Sequence, residues 1–102
     1  MMRYFDFLKE LIDSMQHDAE HLADVVYKCI KDEKSIWIMG NGGSASTAEH
    51  FETDLSFIKM GSDFPKVKVA ALSSNSAIIS AIANDIGYEN IFSHQLHRKA
   101  AK

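Results

Sequence analysis

Apolar residues recur at intervals of three and four from the start of the chain, with Phe5, Leu8, Leu11, Ile12, Met15, Ala19, Leu22, Val25, Val26, Cys29 and Ile30 on one stripe. That is the period of an amphipathic α-helix, and it predicts a helix from about Tyr4 to Ile30, ended by the polar stretch Lys31 to Lys34. Ser35 to Met39 (SIWIM) is a β-branched and aromatic run suited to a buried strand. After a glycine-rich turn, Ala45, Ala48, Phe51, Leu55 and Ile58 restore the three-and-four spacing, which predicts a helix from about Ser44 to Ile58. Gly61 to Pro65 has turn chemistry, and Val67 to Leu72 (VKVAAL) predicts a second strand. Strand, helix and strand at this spacing make a βαβ crossover in a parallel sheet. Ser73, Ser74 and Asn75 are candidate N-caps for a third helix through Ile78, Ile79, Ile82 and Ala83, broken near Gly87. A fourth helical pattern starts at Glu89 or Asn90 and carries Ile91, Phe92, Leu96 and Ala100.

Two strands leave a parallel sheet with an open edge, and such sheets are normally larger and covered on both faces. The sheet is therefore expected to be incomplete, because the chain is a fragment or because partners complete it. The leading helix carries a wider apolar stripe than two short strands can cover, which predicts a homo-oligomer, a dimer or a tetramer.

Composition narrows the function. A chain of 102 residues is one domain at most, and 46% apolar residues with a single proline describe an ordinary globular chain. The net charge of -3 and scattered Lys and Arg give no basic patch, so no nucleic acid partner is expected. Cys29 has no partner for an internal disulfide and falls on the apolar stripe, where packing is the expected role. The chain has neither an apolar run of membrane-spanning length nor, in MMRYFDFLKE, the core of a signal peptide, so a cytoplasmic location and no membrane partner are expected.

The candidate chemistry lies at the turn after the first strand. Gly40, Gly42 and Gly43 let a ligand approach the main chain, and the first N–H groups of the next helix, Ser44 to Ser46, are expected to point at it. An anionic or polyhydroxy ligand suits such a turn; the plainer alternative is a tight strand-to-helix turn with no ligand. A P-loop is excluded, because no lysine lies between Lys34 and Lys59. Gly40, Gly42 and Ala45 satisfy the dinucleotide pattern G-x-G-x-x-A. The second strand ends in Leu72, Ser73, Ser74 and Asn75, without the acidic residue that holds a ribose, which disfavours a nicotinamide cofactor. His50 and Asp54 stand four apart on one helix face, where both reach one cation or one substrate. His17 and His21 share that spacing among Asp13, Asp18, Glu20 and Asp24 and read as a solvated face, and His94 and His97 read the same way.

The segment GNGGSASTAEHFETDL, followed after the second strand by AIANDIGYENIFSHQL, resembles the first half of a sugar isomerase (SIS) domain of the phosphoheptose isomerase family. The resemblance implies a three-layer αβα sandwich around a parallel sheet, with residues 1–102 as the N-terminal part of one SIS domain: 1–31 a leading helix, 35–102 a βαβα portion. It implies a tetramer with active sites between subunits. The implied activity converts sedoheptulose 7-phosphate to D-glycero-D-manno-heptose 7-phosphate, toward the ADP-heptose of bacterial surface polysaccharide. By the same resemblance Asn41, Gly42 and Gly43 line the sugar phosphate with Ser44 at the helix start, His50 is a zinc ligand, and Asn84 and Asp85 hold substrate hydroxyls. Asp54 falls where better-known members have a glutamate that contacts metal and substrate and serves as acid and base. The family's serine-rich phosphate loop and its later Gln and His, which complete the zinc site, are absent from this sequence. A different class of function remains open, a non-catalytic SIS module that binds a sugar phosphate or a protein partner, as some relatives do in replication initiation.

Overall fold

A computed structural model describes residues 2–58 and 61–100. The elements follow the expected order: α1 (Met2–Lys31), β1 (Ser35–Ile38), α2 (Gly43–Ser56), β2 (Lys68–Ala71), α3 (Ser76–Asp85), a 3-10 turn (Tyr88–Asn90) and α4 (Ser93–Lys99). β1 and β2 pair in parallel with Ser35 beside Lys68 and Ile38 beside Ala71, and the Leu72 N–H extends the ladder to the Ile38 carbonyl at 2.8 Å. The α/β class and the parallel pairing are those expected. α2 packs on both strands and most closely on β2, while α1 meets β1. None of the helices among the described residues is long and apolar enough to cross a membrane.

The helix ends show how local chemistry sets the element bounds. Glu33 adopts φ 57°; its N–H donates to Ile30 O (3.0 Å) and the Lys34 N–H to Cys29 O (2.8 Å). These two bonds form the left-handed cap that usually carries glycine, here made with a glutamate. Of the three candidate caps for α3, Asn75 takes the role, its Oδ1 accepting from the Ile78 N–H at 3.1 Å. The Ser74 hydroxyl instead donates to the Ala71 carbonyl, and the Ser73 hydroxyl is buried without a partner among the described residues. The expected fourth helix is split. Ile86 and Gly87 both donate to the Ile82 carbonyl, Gly87 then turns at φ 139°, and the 3-10 turn intervenes before α4 begins at Ser93.

The core is small and draws on every helix and on β2: Ile30 of α1, Ala48 of α2, Ala71 and Leu72 at the end of β2, Ile82 of α3 and Ile91 before α4 are buried, and Gln95 of α4 with them. The Gln95 Nε2 donates to both the Leu72 and the Ile91 carbonyls at 2.8 Å, which fastens α4 to the end of β2. A buried amide with both donors satisfied is stabilising, and its loss strands two acceptors. Gln95→Leu, similar in size but without donors, is expected to lower unfolding free energy by about 1–3 kcal/mol, read as a shift of the urea midpoint at constant slope.

α1 is the exception to burial. Only its last turns touch the sheet, with Ile30 buried and Val26 and Cys29 half-buried, whereas Phe7 and Ile12 are each 63% exposed and Tyr4, Phe5, Met15 and Leu22 are exposed as well.

Candidate functional site

The turn from β1 into α2 has a separate reason for each of two glycines. A Cβ on Gly40 would lie 2.7 Å from both the Cβ and the carbonyl oxygen of Ser44, so the strand end and the first turn of α2 touch only because Gly40 has no side chain. Gly42, the N-cap of α2, has φ 58°, a conformation unfavourable to other residues. Gly43 meets neither demand, since a Cβ there would meet nothing within 4 Å. The fold therefore does not require glycine at 43, and the bare main chain at that position faces open space.

The donors of this turn differ from those expected. The Ser44 N–H donates to the Asn41 carbonyl at 3.0 Å, and Ala45 and Ser46 donate to the Gly42 carbonyl at 3.0 and 3.4 Å. These three N–H groups are occupied by the turn itself, Ser44 and Ala45 through i to i−3 bonds and Ser46 through the first i to i−4 bond of the helix. The Gly42 and Gly43 N–H groups have no acceptor among the described residues, so the free donors lie two residues earlier than expected. Asn41 and Ser44 have exposed side chains beside them, while the Thr47 hydroxyl donates back to the Gly43 carbonyl.

α2 carries the rest of the candidate site on the same side. Ala48 is buried and Glu52, one turn on, bonds to β2, which fixes the face turned to the sheet. At 100° per residue, His50 and Asp54 fall on the opposite face, in line with Gly43. Both are exposed, and neither side chain has a hydrogen-bond partner among the described residues. The rise from Gly43 to His50 is about 10 Å.

Asn84 and Asp85 are the last residues of α3, exposed, with the Asn84 Nδ2 donating to Asp85 Oδ1 at 3.0 Å. The principal contact of α3 is with the 3-10 turn rather than with α2. Asn41 to Ser44, His50 and Asp54 thus share one helix and its entry, and Asn84 and Asp85 lie on another. His17 and His21 are exposed on α1, as expected. Among the described residues, no three His, Cys, Asp or Glu side chains are grouped closely enough to hold a metal ion.

The sequence model of the SIS domain matches residues 3–101. This chain belongs to the SIS-domain family. Its relatives include the phosphoheptose isomerases of Shewanella denitrificans, 36% identical over 84 residues (82% of this chain, 42% of the relative), and of Trichlorobacter lovleyi, 39% identical over 79 residues (78% and 40%). The phosphoheptose isomerase GmhA of Neisseria gonorrhoeae superposes with a TM-score of 0.80 at 23% identity, covering 96% of this chain and 50% of that one. One from Francisella tularensis gives 0.79 at 23% identity, covering 98% and 52%. The SIS fold inferred from the two motifs is therefore confirmed, and the chain spans about half the length of the relatives it matches.

Two residues of this SIS chain escaped sequence reading. Glu52 binds the Ala71 N–H of β2 and Gln95 the carbonyl of Leu72, the residue after that strand, each from another element. A signal existed for Glu52, a charge on the apolar side of α2 between Ala48 and Leu55.

Proposed function

We propose that this chain provides the sugar-binding half of an aldose–ketose isomerase that converts sedoheptulose 7-phosphate to D-glycero-D-manno-heptose 7-phosphate, a cytoplasmic step toward the ADP-heptose of lipopolysaccharide. The observation that carries the reading is the pair of N–H groups at Gly42 and Gly43 that have no acceptor among the described residues, in line with an exposed imidazole and carboxylate on α2. The similarity to proteins named phosphoheptose isomerase supports it.

Aldose–ketose interconversion moves a proton between adjacent carbons through an enediol. In this reading Asp54 accepts the proton from the carbon beside the carbonyl and takes part in returning it to the neighbouring carbon, as a positioned acid and base. The Gly42 and Gly43 N–H groups and the Asn41 and Ser44 side chains hold the substrate's oxygens, and Asn84 and Asp85 hold its hydroxyls. His50 and Asp54 are a donor pair of the kind zinc takes, and they supply two of the three or four protein ligands such a site needs. Zinc, when bound, supplies positive charge that stabilises the enediolate oxygens. The test is turnover of sedoheptulose 7-phosphate by the full-length protein. Turnover that survives removal of both side chains, in Asp54→Asn and His50→Ala, overturns the reading.

The exposed face of α1 favours assembly as part of the same function. An apolar groove runs between α1 and α2, lined by Ala19, Leu22, Val26, Tyr27, Phe51 and Leu55. A second copy of α1 supplies the matching apolar stripe, and a stable interface removes about 800 Å² from water on each partner. Sedimentation is expected to give a dimer or tetramer, and Leu22→Asp to shift it toward the monomer. A monodisperse monomer of the unsubstituted protein would count against this assembly. The non-catalytic alternative, a module that binds a sugar phosphate or a protein, predicts binding without turnover.

A further inference from the structure

Glu52 stands on the face of α2 that packs against the sheet, and its Oε1 accepts a hydrogen bond from the Ala71 N–H at 3.0 Å. Because the Leu72 N–H donates to Ile38, the main-chain groups of Leu72 point to β1 and those of Ala71 point to the other side of β2. The carboxylate therefore satisfies a donor on the outer side of β2. A bond from a main-chain N–H to a charged acceptor is roughly twice as strong as a neutral one.

On α2, Ala48 is buried and Ala45, Phe51 and Leu55 are half-buried, and the helix packs on both strands. Apolar contacts set the distance between helix and sheet but are not directional. Glu52 adds the directional contact, and His50 and Asp54 lie two residues before and after it on the same rigid helix. We propose that Glu52 is a positioning residue that holds α2 in one rotation on β2 and so fixes the direction in which His50 and Asp54 face. The inference rests on the reading of His50 and Asp54 as site residues, and it requires no change in the charge of Glu52.

Glu52→Ala and Glu52→Gln separate the bond from the charge. Both remove the carboxylate, but only glutamine keeps an Oε1 that accepts from Ala71. In the Glu52→Ala protein, exchange of the Ala71 amide is expected to quicken by about tenfold or more, and the resonances of the His50 ring and the Asp54 amide to move; in Glu52→Gln both return toward the unsubstituted protein. An Ala71 amide that stays protected in Glu52→Ala overturns the proposal, as do His50 resonances that respond alike to both substitutions. Should Glu52→Ala fail to fold, Glu52→Asp, whose carboxylate falls short by one methylene, takes its place with the same two outcomes. In the isomerase assay kcat is expected to fall about tenfold in Glu52→Ala and to recover in Glu52→Gln. An unsubstituted protein without turnover defeats the isomerase reading alone, since the amide and ring signals still decide the role of Glu52.

Discussion

The Asp54→Asn protein is expected to turn over sedoheptulose 7-phosphate about 10²- to 10⁴-fold more slowly, the usual contribution of a positioned acid–base group. The substitution keeps size and shape while removing the group that takes a proton. Asp54 is exposed on the outer face of α2 and makes no hydrogen bond among the described residues, so nothing in the fold depends on it. Substitutions at such sites change stability by no more than about 0.5 kcal/mol. The expected signature is a large fall in kcat with an unchanged thermal midpoint. Loss of activity together with a lowered midpoint would assign Asp54 to structure instead.

The second large effect separates two glycines three residues apart. Gly40→Ala is expected to destabilise the protein by about 1–3 kcal/mol, the cost of overpacking a fitted contact, because the new Cβ would sit 2.7 Å from the main chain and side chain of Ser44. Gly43→Ala is expected to leave stability unchanged, since its Cβ enters open space and φ there is ordinary. The methyl group instead stands over the free N–H groups, where a ligand would approach. Sugar-phosphate affinity, measured by calorimetry, is expected to fall about tenfold or more, one unmade charge-assisted hydrogen bond being worth about 1.5–3 kcal/mol. A Gly43→Ala protein with undiminished affinity would move the ligand away from this turn.

The elements whose signal is periodic were legible in the sequence. α1, α2 and α3 each show the three-and-four spacing, and the bounds found lie within two residues of those expected. The cap at Glu33 was not legible, because no glycine marks it. The split before α4 was missed because Ile91, Phe92 and Leu96 keep a helical spacing across the break between the 3-10 turn and α4. At the site, residue types and spacing pointed to the glycine turn and to the face of α2, but which N–H groups stay free depends on how the turn closes. The bonds of Glu52 to Ala71 and of Gln95 to Leu72 join residues 19 and 23 apart, a separation that no local pattern encodes.

The hydrogen bond from Ala71 to Glu52 has a consequence for where another strand can join. Edge strands recruit new neighbours through their unpaired main-chain groups, and a side chain that occupies such a group deters them. On β2 the outward N–H of Ala71 is taken. On β1 the main-chain groups of Trp37 alternate with those of Ile38, point away from β2 and meet no strand among the described residues. Recruitment therefore favours the β1 flank, which would turn β1 into an interior strand and leave β2 at the rim. The connection after β1 crosses to β2, so a neighbour on the other flank would place the glycine turn where successive connections diverge, the crevice in which open α/β sheets hold their ligands.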